Sequence, residues 1–132
     1  MLKKFTNKKG FTLMEMLIVV AIIAVLVAIA IPTFSGSLAK ANAATDLANI
    51  RSGYASAQIK VMTEKVTETK LYLQKDGSVD SNTTNAYICK GKSTDVSGAN
   101  EIGGKNFGAT WTKDQKIAYT ITGDAVTAIS AE

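Results

Sequence analysis

KKGFTLMEMLIVVAIIAVLVAIAIP, residues 8–32, decides how the rest of the chain must be organised. From residue 16 to residue 31 no side chain is polar, and between Phe11 and that run only Thr12 and Glu15 interrupt the apolar character. As a helix rising about 1.5 Å per residue, the stretch from Phe11 spans roughly 30 Å, the thickness of a hydrocarbon core. Its Leu, Ile, Val and Phe residues each favour insertion by about 0.3–0.6 kcal/mol, whereas an acid costs about 2.5–3.5 kcal/mol at the helix centre and less near an end. The segment is therefore expected to insert with Glu15 in place.

An ionisable group at that depth calls for a partner. The helix is expected to offer none, because the next charged residue along the chain is Lys40. Upstream lies a short basic leader, MLKKFTNKKG, with Lys3, Lys4, Lys8 and Lys9 crowded before Gly10. Cleavage after Gly10 would place a new positive amine on Phe11, close to Glu15 in sequence. The amine of one copy could then neutralise the acid of another.

Lys8-Lys9-Gly10, then Phe11-Thr12-Leu13-Met14-Glu15, then an apolar run ending in Ile31-Pro32, resembles the type IV prepilins of the pilin superfamily. The resemblance covers the leader and apolar run closely and the following helix loosely. It implies cleavage between Gly10 and Phe11 by a membrane prepilin peptidase, N-methylation of Phe11, and polymerisation with copies of itself by an ATP-driven assembly machine in the membrane. Phe11, Thr12 and Glu15 would be the assembly residues, and minor pilins further partners. The precursor would reside in the inner or cytoplasmic membrane and the mature subunit in an extracellular pilus on a bacterial cell.

Other readings of the same residues compete. A cleaved secretory signal has an A-x-A site at Ala28-Ile29-Ala30, but an ordinary signal core is about 7–15 residues long and carries no acid. A plain signal anchor would keep the basic leader inside and leave Glu15 without a task. A proton-relay role for Glu15 lacks a second polar group in the span. As for what an ion pair at Glu15 would supply, Coulomb attraction at 4 Å is about 4 kcal/mol at an effective dielectric near 20. Desolvation can consume that, so the better-attested use of such a pair is to select register.

The formal charge of +4 comes from 15 basic against 11 acidic residues. The four leader lysines account for that excess, so the chain after Gly10 is formally balanced and offers no charge argument for a nucleic-acid partner. With the leader inside, the remainder lies where disulfides are permitted. A single cysteine, Cys89, allows no internal disulfide, in contrast to the many pilins whose C-terminal loop is closed by one. It reads either as a small buried hydrophobe or as an exposed thiol.

Pro32 lacks the N–H that would bond the carbonyl of Ala28, so a kink or a short melted stretch is expected there, with Gly36 adding to the weakness. Beyond it Ala43, Leu47, Ile50, Tyr54, Ala57 and Val61 recur at steps of three and four and form one stripe. Asn42, Asp46, Asn49, Ser56 and Lys60 are expected on the opposite face. A continuous helix to about Thr63 would run roughly 80 Å, far beyond what a domain of this size can bury. The divisions that follow are a leader, 1–10; a hydrophobic anchor and filament-core helix, 11–33; an amphipathic half, 34–63; and a head, 64–132.

In the head, residues 71–73 suggest a short strand closed by Asp76-Gly77, and 78–85 a polar loop. Residues 86–89 and 108–112 read as short strands. Residues 116–122 alternate, then Gly123-Asp124 leads into 125–129, which is the pattern of a hairpin with a two-residue turn. Trp111, Ile117, Tyr119, Ile121 and Val126 are the expected core. The fold class is thus α+β, a long N-terminal helix packed on a small antiparallel sheet.

There is no histidine, and one cysteine cannot build a thiolate zinc site, so neither histidine catalysis nor a metal or cofactor is expected. The chain reads as a structural subunit rather than an enzyme. A pseudopilin of a type II secretion or DNA-uptake system, or a signal-anchored surface binding module, is the alternative.

Overall fold

The computed structural model describes residues 12–132. Packing divides the chain at Ser37/Leu38, and the second unit is Leu38–Glu132. Helix α1, Leu13–Thr63, belongs to both. Between residues 13 and 31 every large apolar side chain is at least 44% exposed, as at Val27. This apolar length contributes nothing to the core of the single chain.

From Ala43 onward one face of α1 turns inward. Ala43, Leu47, Ile50, Tyr54, Ala57 and Val61 are all buried, as their spacing requires. Against them packs an antiparallel sheet of order β2-β1-β5-β6, made of β1 (Lys70–Leu73), β2 (Val79–Asp80), β5 (Ile117–Thr122) and β6 (Ala125–Ala131). A separate hairpin, β3 (Glu101–Ile102) with β4 (Lys105–Asn106), lies in the intervening segment. Trp111, Ile117, Tyr119, Ile121 and Val126 are core residues, together with Leu71, Leu73, Ile102 and Ile129. The fold is α+β.

Helix and sheet meet closely at Gly53, where an added Cβ would come within 2.6 Å of Leu73 Cδ1 and would also collide with the Tyr119 hydroxyl. That hydroxyl donates to the carbonyl of Ile50 at 2.7 Å, so the one polar atom of a fully buried ring is satisfied by the helix it packs on. The β5–β6 hairpin turns through Gly123, at φ 65°, and Asp124, which is not left-handed, the pattern of a type II′ turn. A bulge follows, because Thr120 pairs with Ala128 but Ile121 with Val126. The smaller hairpin turns on Gly103 and Gly104, both left-handed at φ 60° and 79°. Its Gly-Gly pair was a hairpin signal in the sequence that composition alone obscured.

Three expectations are corrected. Residues 86–89 and 108–112 are not strands. The first makes only isolated bridges, Gln74 with Ala86 and Ile88 with Lys116. In the second, the carbonyl of Trp111 accepts from the Ser93 N–H and its N–H donates to Ser93 Oγ. Their apolar character reports burial of Ala86, Tyr87, Cys89, Ala109 and Trp111, which a loop achieves as well as a ladder. Next, of the kink or melted stretch expected at Pro32, the described residues show no melted stretch, since α1 stays helical through Pro32 and Gly36. Finally, Asp46 is not on the water-facing side but fully buried. It sits three residues after Ala43 and four before Ile50, hence within the apolar stripe by spacing, and only its polarity argued otherwise. The face turned furthest from the core is lined instead by Ala41, Ala44, Ala48, Ser52, Ala55, Ile59 and Met62, all exposed.

Candidate functional site

The residues singled out at the N-terminus fall into two groups. Gly10 and Phe11 lie outside the described residues. Thr12 and Glu15 lie within them, and the fold brings them together. The N–H of Glu15 donates to Thr12 Oγ1 at 3.0 Å, and the N–H of Thr12 donates to Glu15 Oε2 at 3.2 Å. This reciprocal pair is a capping box, T-x-x-E, and it sets the start of α1 at Leu13. A carboxylate at this end also meets the positive pole of the helix dipole.

The expectation that the helix offers Glu15 no partner is thereby overturned. The spacing Thr12-Leu13-Met14-Glu15 carries the signal, because a T-x-x-E run brings the carboxylate back to the backbone N–H of Thr12. Among the described residues Glu15 accepts one charge-assisted hydrogen bond, from the Thr12 N–H to Oε2. Pro32 and Gly36, one helical turn apart, remain in the helix, and Thr33 Oγ1 donates to the carbonyl of Ile29 at 3.2 Å between them.

A second polar centre, in the head, was not anticipated. Asp46 accepts from the Tyr87 hydroxyl at 2.7 Å, from the backbone N–H of Gly91 at 2.7 Å and of Lys90 at 2.9 Å, and from the Trp111 indole N–H at 3.1 Å. Successive N–H groups aimed at one carboxylate form an anion-binding nest, here occupied by the protein's own acid. Gly91 permits the approach, since a Cβ there would come within 2.7 Å of the Ala43 nitrogen. Burial, and secondarily the bond to Asp46, pushes the Tyr87 hydroxyl well above the usual phenol range. Burial likewise pushes the Cys89 thiol up to about 12, which keeps it protonated and unreactive at neutral pH. The small-hydrophobe reading of Cys89 thus describes it correctly.

Asp76 Oδ1 accepts from the N–H and hydroxyl of Ser78, at 2.9 and 2.6 Å. The hydroxyl bond is the leading cause that holds the Asp76 carboxyl below its ordinary value. The Asp46 cluster is fully internal and satisfied, so what it does is hold the 87–91 loop and Trp111 to α1. Glu15 and the apolar helix behind it, by contrast, are exposed.

Residues 5–31 match the protein family described as the prokaryotic N-terminal methylation motif. The match spans the end of the leader, the capping box and the apolar run. No solved structure matches the chain.

Proposed function

We propose that the chain, whose residues 5–31 carry the N-terminal methylation motif, is a type IV pilin-like protein, anchored in the membrane as a precursor, and the structural subunit of an extracellular type IV pilus. In this reading prepilin peptidase cuts between Gly10 and Phe11, Phe11 is N-methylated, and an assembly machine transfers the subunit from membrane to filament. The observation that carries the proposal is the apolar length of α1. A helix whose large apolar residues from Leu13 to Ile31 are all exposed has two stable homes, a bilayer and a bundle of like helices. A filament subunit occupies both in turn.

Glu15 then acts as the docking selector. Before docking its carboxylate is held by the Thr12 N–H. On docking, the carboxylate accepts from the Phe11 amine of a neighbour, neutralising a charge in a medium of low dielectric. Because the capping bond already offsets part of the desolvation, the selective penalty on an undocked subunit is smaller than for a bare carboxylate.

Two substitutions separate capping from charge. Glu15→Gln keeps the capping box, since Gln serves at that position, but removes the charge; Glu15→Ala removes both. Both variants are expected to insert and be cleaved normally, and both to yield at least about tenfold fewer filaments. That factor corresponds to about 1.4 kcal/mol lost per docking step. The readouts are sheared-filament yield and mass spectrometry of the N-terminal peptide, which should begin at methylated Phe11. Full assembly of the Gln variant would show that the cap rather than the charge matters. A sheared protein still carrying residues 1–10 would overturn the processing scheme altogether.

A further inference from the structure

The Leu38–Glu132 unit contains a cleft of about 570 Å³ with β6 along one side and Thr94 and Thr110 among the residues of the other. The sheet order leaves β6 at an edge. Which of its backbone groups face the cleft follows from the ladder. Lys116 and Glu132 exchange both backbone hydrogen bonds at 2.8 Å, and such exchanges alternate along an antiparallel pair. With Ala118 opposite Ser130 and Tyr119 opposite Ile129, Ser130 is turned toward β5, while Ile129 and Ala131 turn their N–H and C=O groups outward. The far side of β5 agrees, since the Ile121 N–H donates to the Thr69 carbonyl at 2.8 Å. Among the described residues no backbone partner reaches the outward groups of Ile129 or Ala131.

Natural edges of this kind are blunted with charge, proline, a bulge or a covering element. The strand AVTAISA has neither charge nor proline, and its bulge distorts only the end near the turn. The part that lines the cleft carries no charge, and among the described residues its outward backbone groups have no backbone partner.

We propose that this cleft is a strand-addition site that captures an extended peptide segment of another protein, paired through the backbone of Ile129 and Ala131. The repeat of donor and acceptor on every second residue is matched by a β-strand backbone. Because β6 lies beside a wall formed by other loops, a single chain can enter, whereas the β6 edge of a second copy would arrive with its own wall alongside. Threonine hydroxyls and the Lys92 ammonium among the lining residues favour a segment with small side chains that is neutral or acidic. The site stands on the head alone and does not depend on filament membership.

The test uses the full chain in detergent micelles and a fluorescent peptide of about six residues, alternating threonine and valine with one aspartate, compared with the same peptide methylated on its backbone nitrogens. The unmodified peptide is expected to bind and to slow amide exchange at Ile129 and Ala131. The methylated one is expected to bind at least about tenfold more weakly. Ala131→Pro removes an outward N–H without touching the β5 ladder, and should weaken binding to a similar degree at unchanged thermal midpoint. Failure of the unmodified peptide to bind, or equal binding of both peptides, overturns the proposal. So does concentration-dependent dimerisation of the chain that Ala131→Pro abolishes, which would assign the edge to a second copy. Should the proline variant misfold, the comparison of the two peptides on the unaltered chain still decides.

Discussion

Removing the Asp46 carboxylate leaves the Tyr87 hydroxyl, the Trp111 indole N–H and the backbone N–H groups of Lys90 and Gly91 without the acceptor they share. Breaking a buried charged network in this way costs about 3–5 kcal/mol, most of it from polar groups stranded out of water. Asp46→Ala is therefore expected to lower the thermal midpoint steeply and to loosen the 87–91 loop. Asp46→Asn, which keeps the volume and one acceptor oxygen, should lose less. Circular dichroism melts of the two variants check the order. At the surface, Glu132 pairs with the Lys70 ammonium and accepts from the Tyr72 hydroxyl at 2.8 Å. The bond to Lys70, then that to Tyr72, holds the Glu132 carboxyl below its ordinary value, and the bond to Glu132 holds Lys70 above its own. The unfolded chain thus binds the carboxyl proton more readily. The contribution of Glu132 is full above an unfolded pKa of about 4.3 and disappears as pH falls through the lower folded value. Glu132→Gln should cost a small amount of stability at pH 7, limited by solvent screening, and nothing in strong acid. Thermal midpoints across that pH range test the sign.

Helix α1 carries two interior glycines whose replacement should have opposite effects. An alanine at either position gains about 0.5–1 kcal/mol in helix propensity. At Gly36 no atom lies within 4 Å of the new methyl, so Gly36→Ala should realise that gain and stiffen the helix behind Pro32. At Gly53 the methyl would strike Tyr119 and Leu73. Overpacking costs about 1–3 kcal/mol, so Gly53→Ala should be net destabilising and should disturb the Tyr119 bond to Ile50. Melting the two single variants beside the parent distinguishes a packing glycine from a merely permissive one. Periodicity identified the stripe but not this distinction, because a missing side chain leaves no mark in a hydrophobic pattern. The type II′ hairpin was legible for the opposite reason: Gly123-Asp124 imposes its turn locally and the flanking alternation sets the register.

For the molecule as a whole, every buried hydrophobic side chain among the described residues lies at or beyond Ala43. Residues 38–132 expressed alone are therefore expected to fold cooperatively and stay soluble, with a single thermal transition in the absence of detergent. The full chain should need detergent or lipid. Failure of the shorter piece to melt cooperatively would mean that the apolar half of α1 supports the head, which its exposed side chains do not suggest.

The sequence by itself determined the exposed apolar helix, the helical stripe, the β5–β6 hairpin and the N-terminal methylation motif. Each of these rests on local rules of spacing, charge and turn chemistry that act within a few residues. Glu15 was legible as an unusual acid, and its capping bond to Thr12 could have been read from the same four residues. Tertiary structure alone decided the rest. Asp46 became a buried acceptor because the 87–91 loop and Trp111, distant in sequence, bring their donors to it. Residues 86–89 and 108–112 became loops because their backbone partners were taken singly rather than in ladders. The β6 edge was left open because the sheet ends there. Long-range partners decide the fate of a buried polar group or an apolar run, and no local pattern encodes which partners arrive.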